Sequence, residues 1–155
     1  FLNGYAVEIL PDNGYLFNEH AVHGPPDKVF EEAAFLERFR NLLVMEQRDS
    51  LWIARATPRV WLEQGKKITV KNAPTHFGAL SYEIVSDVDH RRITATVTIP
   101  SRKPPKSVLL RFRHPQAAPI QRVAVNGKDW RGFDNAQEII RLERLQGTVA
   151  VTARY

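Results

Sequence analysis

Glu19, Glu31 and Glu32 are the carboxylates of the N-terminal part of the chain whose placement could support acid–base chemistry. Bond cleavage by paired carboxyls needs one group to protonate the leaving oxygen and another, several ångströms away, to act as base or nucleophile. Glu31 and Glu32 are neighbours in a segment that reads as helix, so they point about 100° apart and cannot converge on one bond. Glutamates in a first helical turn serve the positive end of the helix dipole. Glu19 stands in a loop beside His20 and near His23, the kind of segment that carries functional side chains, and is the catalytic candidate.

His20, His23 and Glu19 together offer a metal two nitrogens and an oxygen. The remaining histidines, His76, His90 and His114, lie far along the chain without matching spacing, so no metal site is assigned. There is no Gly-x-Ser-x-Gly elbow, phosphate loop or dinucleotide fingerprint, and no cofactor is expected. Trp130 offers different chemistry. It follows Asn126-Gly127 and is flanked by Asp129 and Arg131, an arrangement suited to stacking on the apolar face of a pyranose while polar neighbours take its hydroxyls. Its competing role is to pack into a core or corner. His76 and Phe77, in the loop from Pro74 to Gly78, are a second carbohydrate-binding candidate.

The chain's 155 residues suffice for one substantial core, and 43% hydrophobic with 25% charged residues is an ordinary globular balance. Lys and Arg exceed Asp and Glu by 22 to 17, but the bases are scattered and their densest run, Arg102 to Arg113, is broken by Pro104 and Pro105. That pattern argues against nucleic acid as a partner. No run approaches the ~20 apolar residues of a membrane span, so no membrane partner is expected. Cysteine is absent, which removes disulfides and thiolate chemistry. The opening Phe1-Leu2-Asn3-Gly4, without Met or a basic leader, reads as a processed chain or a piece of a longer one.

Two textures position these residues. Up to about residue 48 the chain reads as helical: after the turn Pro11-Asp12-Asn13-Gly14 and the loop His20 to Pro26, Asp27 is a plausible N-cap. A helix of about 18 residues follows, with Phe30, Ala33, Ala34, Phe35, Leu36, Phe39, Leu42, Leu43 and Met45 apolar. From residue 49 on, β-branched and aromatic residues alternate in short runs bounded by Pro, Gly, Asn and Asp. The spacing predicts eight strands: Leu51–Ala56, Lys67–Asn72, Ala79–Asp87, Arg92–Ile99, Ser107–Arg113, Ile120–Val125, Glu138–Leu142 and Thr148–Ala153. The expected fold is mainly β, an antiparallel β-sandwich preceded by an α-helical segment, with domains 1–48 and 49–155. Asn126-Gly127 marks a two-residue hairpin, while Thr57-Pro58 and Ala73-Pro74 are expected to stop strand pairing and form corners, with Trp61 as an anchor toward a helical partner.

The run from Leu51 to Lys66, LWIARATPRVWLEQGK, followed by Ala73-Pro74-Thr75-His76-Phe77-Gly78, resembles the junction between an (α/α)6 barrel and its C-terminal β-sandwich in bacterial six-hairpin glycosidases. Ile120, Val123, Val125, Asn126 and Gly127 match a closing hairpin of the form I-x-x-V-x-V-N-G. The resemblance covers roughly Phe30 to the end. It implies that residues 1–47 are the last hairpin of a barrel, that the partner is an upstream catalytic barrel or companion chain, and that the site is periplasmic or extracellular. The function it implies is an accessory, structural sandwich of a glycoside hydrolase acting on poly- or oligosaccharides, not catalytic alone. An independent carbohydrate-binding module is the alternative, in which residues 1–47 would have no purpose. A small hydrolase using Glu19 with His20 is a third reading and would need a complete cleft within this chain.

Overall fold

The computed structural model describes residues 9–10, 16–17 and 29–155. The chain divides into two compact units, Phe1–Arg40 and Asn41–Tyr155. In the first, Ile9–Leu10 (β1) and Leu16–Phe17 (β2) pair antiparallel, and the helix Val29–Leu43 (α1) begins. Phe35 and Phe39, one turn apart, stack with ring centroids 5.9 Å apart. The expected N-cap, Asp27, lies outside the described residues. The helix stops at Leu43, two residues before the expected Met45, because Val44–Gln47 is drawn into a sheet as strand β3.

The second unit is a β-sandwich of two sheets. Strands β3 and β4 (Ser50–Ile53), β8 (Ser107–Arg111), β11 (Phe133–Asp134) and β12 (Ile139–Glu143) form a five-stranded sheet in the order β11-β12-β8-β4-β3. Strands β5 (Lys67–Thr75), β6 (Gly78–Asp87), β7 (Arg92–Ile99), β9 (Arg122–Val125), β10 (Lys128–Trp130) and β13 (Gly147–Arg154) form a six-stranded sheet in the order β10-β9-β13-β7-β6-β5. All eight predicted strands are present in the sandwich, where β3, β10 and β11 are additional; in the segment that reads as helical, β1 and β2 are also strands that the spacing did not predict. Pairing is antiparallel except between β4 and β8, which run parallel because the chain crosses to the other sheet and back between them.

Alternation decides which residues face inward. In β7, Ile93, Ala95, Val97 and Ile99 are buried, and in β6 Leu80, Tyr82 and Ile84 are. They meet Leu51, Ile53, Val108, Leu110, Ile140 and Leu142 of the other sheet in one hydrophobic cluster. Asn126 and Gly127 both take positive φ, 50° and 76°, as the β9–β10 hairpin turn requires. Asn126 also ties that turn to β13: its side-chain oxygen accepts from the Ala150 N–H at 2.9 Å. Pro74, expected to stop pairing, instead lies within β5, opposite Ala79. β5 is an edge strand with a register shift between Val70 and Ala73, and an edge position tolerates a residue that lacks an N–H. Trp61, on the 3-10 turn Arg59–Leu62, packs against the sandwich core itself.

Candidate functional site

Two places in the sandwich gather side chains capable of recognition. The first is a polar knot at one end. The 3-10 turn supplies Arg59, the end of β8 and its continuation supply Arg111, Arg113 and His114, the residue before β12 supplies Glu138, and the C-terminus supplies Tyr155. Arg59 grips the Glu138 carboxylate through both nitrogens, at 2.6 and 3.1 Å, and also donates to the His114 carbonyl at 2.6 Å. Arg111 adds a longer contact to Glu138 at 3.4 Å and donates to the Arg55 and Gln137 carbonyls, both at 3.0 Å. Arg113 donates to the Thr57 carbonyl at 3.1 Å. Burial holds the His114 pKa below its ordinary value, with Arg59 pushing the same way. Burial also raises the Tyr155 phenol and lowers Arg113. Both oxygens of the Glu138 carboxylate are engaged by two guanidinium groups, so the knot ties the loops together.

The second place is the outer face of the five-stranded sheet. In Leu51-Trp52-Ile53 the flanking residues are fully buried, so Trp52 must point out of the sandwich. Its register partners are Met45 on β3 and Leu109 on β8, and Leu109 in turn faces Arg141 on β12. A half-buried row of Met, Trp and Leu thus crosses a face that an ordinary sandwich gives to polar residues. The Trp52 indole N–H donates to Gln47 Oε1 at 3.1 Å. The Arg55 guanidinium lies over the ring, 5.2 Å from its centroid, and donates to the Met45 sulfur. Beside the ring is a hollow of about 420 Å³ lined by Gln47, Arg48, Asp49, Ser50, Trp52 and Leu109. Arg48 and Asp49 form the β3–β4 turn, and Asp49 pairs with Lys106 at 2.6 Å, which lowers its pKa.

The sequence candidates are distributed differently. Glu19, His20 and His23 lie outside the described residues, as does the side chain of Glu31. Trp130 is half-buried, packs against the core and donates its indole N–H to the Arg141 carbonyl at 2.9 Å. Gly132 makes room for it: a Cβ there would sit 2.7 Å from the indole nitrogen. Trp130 is therefore engaged as a packing residue at the β10–β11 corner. Phe77 is 4% exposed and belongs to the core, with its ring turned from solvent. His76 is exposed; its backbone N–H donates to Glu46 Oε1 at 2.6 Å and its Nε2 meets Lys103 Nζ at 3.1 Å. The structure does not bring Trp130 together with His76 in any contact. Trp52, by contrast, was not among the sequence candidates, although its position out of phase with Leu51 and Ile53 is the signal that marks it.

Among the described residues, no group of three or more His, Cys, Asp or Glu is placed to hold a metal ion, and no helix is long and apolar enough to cross a membrane. No family model and no curated protein matches the chain. A search of solved structures finds a distant likeness to a protein titled "Glycoside hydrolase", at 16% identity and a TM-score of 0.45, over 78% of this chain and 19% of that one. This chain thus spans about a fifth of that protein's length.

Proposed function

We propose that this chain is the C-terminal accessory region of a glycoside hydrolase acting on poly- or oligosaccharides, in which α1 belongs to the last helices of an (α/α)6 barrel and the sandwich follows them. The observation that carries this reading is on α1. Val29 and Phe30 are each 74% exposed and Leu36 is 64% exposed, apolar side chains that an isolated helix has no reason to display. Covering each would contribute about 1.5–3 kcal/mol, so further helices packed on α1 have a driving force waiting for them. The junction resemblance from Leu51 to Lys66 names those helices as a catalytic barrel. Carboxylates within the sandwich support placing the chemistry elsewhere: Asp49, Glu63, Glu83, Asp87 and Glu138 each hold a cationic partner.

The test is the coding sequence that precedes Phe1. A series of helical hairpins there, and sugar release by the longer protein but not by this chain, is the expected result. An unrelated linker, or hydrolysis by the 155 residues alone, overturns the reading.

A further inference from the structure

We propose that the hollow beside Trp52 is a binding subsite for an acidic pyranose, a uronate unit of the glycan, which the sandwich holds while the catalytic domain works. This rests on the accessory reading and gives it a ligand. Three features select the class. The half-buried indole gives the hollow the apolar surface that Arg55 leaves open, which the C–H groups of a pyranose can cover. Around it, Gln47, Asp49 and Ser50 supply amide, carboxylate and hydroxyl groups, the mix that takes ring hydroxyls as both donors and acceptors. The volume, about 420 Å³, falls in the range of small-ligand sites, ~300–1,000 Å³.

Charge narrows the choice further. Of the ionic groups lining the hollow, Asp49 is already matched by Lys106, whereas Arg48 is exposed and has no ion pair or hydrogen bond among the described residues. Arg55 adds a second cation over the ring. The uncompensated charge is therefore positive and sits on a guanidinium, whose planar fork fits one carboxylate. A phosphorylated ligand would bring more negative charge beside Asp49 than a single uronate does. In the hollow on the other sheet, at Thr69, Ser81 and Thr96, the one aromatic of the lining, Tyr82, is 3% exposed and offers no platform.

The test is calorimetric titration of the chain with a galacturonic acid pentamer and, separately, with cellopentaose as neutral probe. The uronate pentamer is expected to bind and the neutral one at least tenfold more weakly, with affinity falling as salt rises. Trp52→Ala and Arg48→Gly should each weaken uronate binding at least tenfold. Arg48→Gly guards against a folding artefact, because Arg48 has φ of 55°, a conformation glycine adopts freely, so that variant keeps the fold. Equal affinity for both probes, or uronate affinity unchanged in Arg48→Gly, overturns the proposal. So does binding to neither pentamer, which would still leave the accessory reading to stand or fall on the helical sequence before Phe1.

Discussion

The two sheets share one core but carry opposite outer surfaces. Outside the six-stranded sheet, Thr69, Ser81, Glu83, Thr96 and Thr98 line a shallow hollow of about 210 Å³, and Thr98 meets Thr148 across strands at 3.3 Å. Such hydroxyl-rich rows are satisfied by water and by each other. Outside the five-stranded sheet, Met45, Trp52 and Leu109 form a row with a guanidinium lying over its ring. The inner alternation is the same in both, so folding does not explain the difference. One surface is suited to solvent and the other to contact.

If the core belongs equally to both sheets, its disruption from either side should be equivalent. Leu110→Ala in the five-stranded sheet and Ile84→Ala in the six-stranded sheet, both fully buried, should each destabilise by about 2–5 kcal/mol. Chemical denaturation followed by tryptophan fluorescence and by circular dichroism should show one coincident transition for both variants. Separate transitions for the two sheets would break the comparison at its base.

The polar knot comes next in size. Glu138→Gln leaves Arg59 and Arg111 without their counter-charge, and with those side chains 31% and 28% exposed the cost should be about 2 kcal/mol, below that of a fully buried pair. Knot and outer surface also predict different acid responses. His114 has a lowered pKa, and its Nδ1 accepts the Gln116 N–H at 3.2 Å, which requires the neutral ring. The unfolded chain takes up that proton first, so this contribution is present above a pH of about 6.5 and is lost as pH falls through the folded value. Asp87, on the six-stranded sheet, is held down to about 2 by His90 and then Arg92. Its contribution is present above a pH of about 4 and is lost on the way down to about 2. Melting temperature against pH should show two steps, with His114→Asn removing only the upper and Asp87→Asn reducing only the lower, to which Asp49 and Glu83 also contribute.

Smaller still is the direct exchange of surfaces. Trp52→Ala removes half-buried area and should cost about 1–2 kcal/mol, whereas Thr96→Ala on the exposed opposite face should stay within about 0.5 kcal/mol. Equal costs would mean that the Met45-Trp52-Leu109 row contributes no more to the fold than a solvated threonine.

The sandwich was legible because period-two alternation and turn residues dictate burial locally, as in Ile93 to Ile99 and at Asn126-Gly127. Tertiary effects hid the rest. Val44 and Met45 continue a helical apolar pattern, and only pairing with Trp52 and Ile53 makes them strand. Pro74 reads as a stop until β5 is known to be an edge. The surroundings of the aromatic candidates were hidden for a related reason: whether a tryptophan is a platform or a wedge depends on what lies beneath it. Gly132 and the Arg141 carbonyl receive Trp130, while Trp52 has the Arg55 guanidinium over its ring and a hollow beside it.

The smallest effect is the most discriminating. Each sheet places an arginine in the left-handed region at a turn, Arg48 between β3 and β4 and Arg91 between β6 and β7, both with φ of 55°. Either position would be more relaxed as glycine, and the relief, offset by glycine's greater chain entropy when unfolded, should leave each variant about 0.5 kcal/mol more stable or unchanged. Arg48→Gly and Arg91→Gly should therefore be indistinguishable in thermal melts. They should differ in glycan binding, because only Arg48 lines the hollow beside Trp52. Arg91→Gly should retain the affinity of the parent chain for the uronate pentamer while Arg48→Gly loses it, and parallel losses in both would trace the effect to net charge and not to the outer face of the five-stranded sheet.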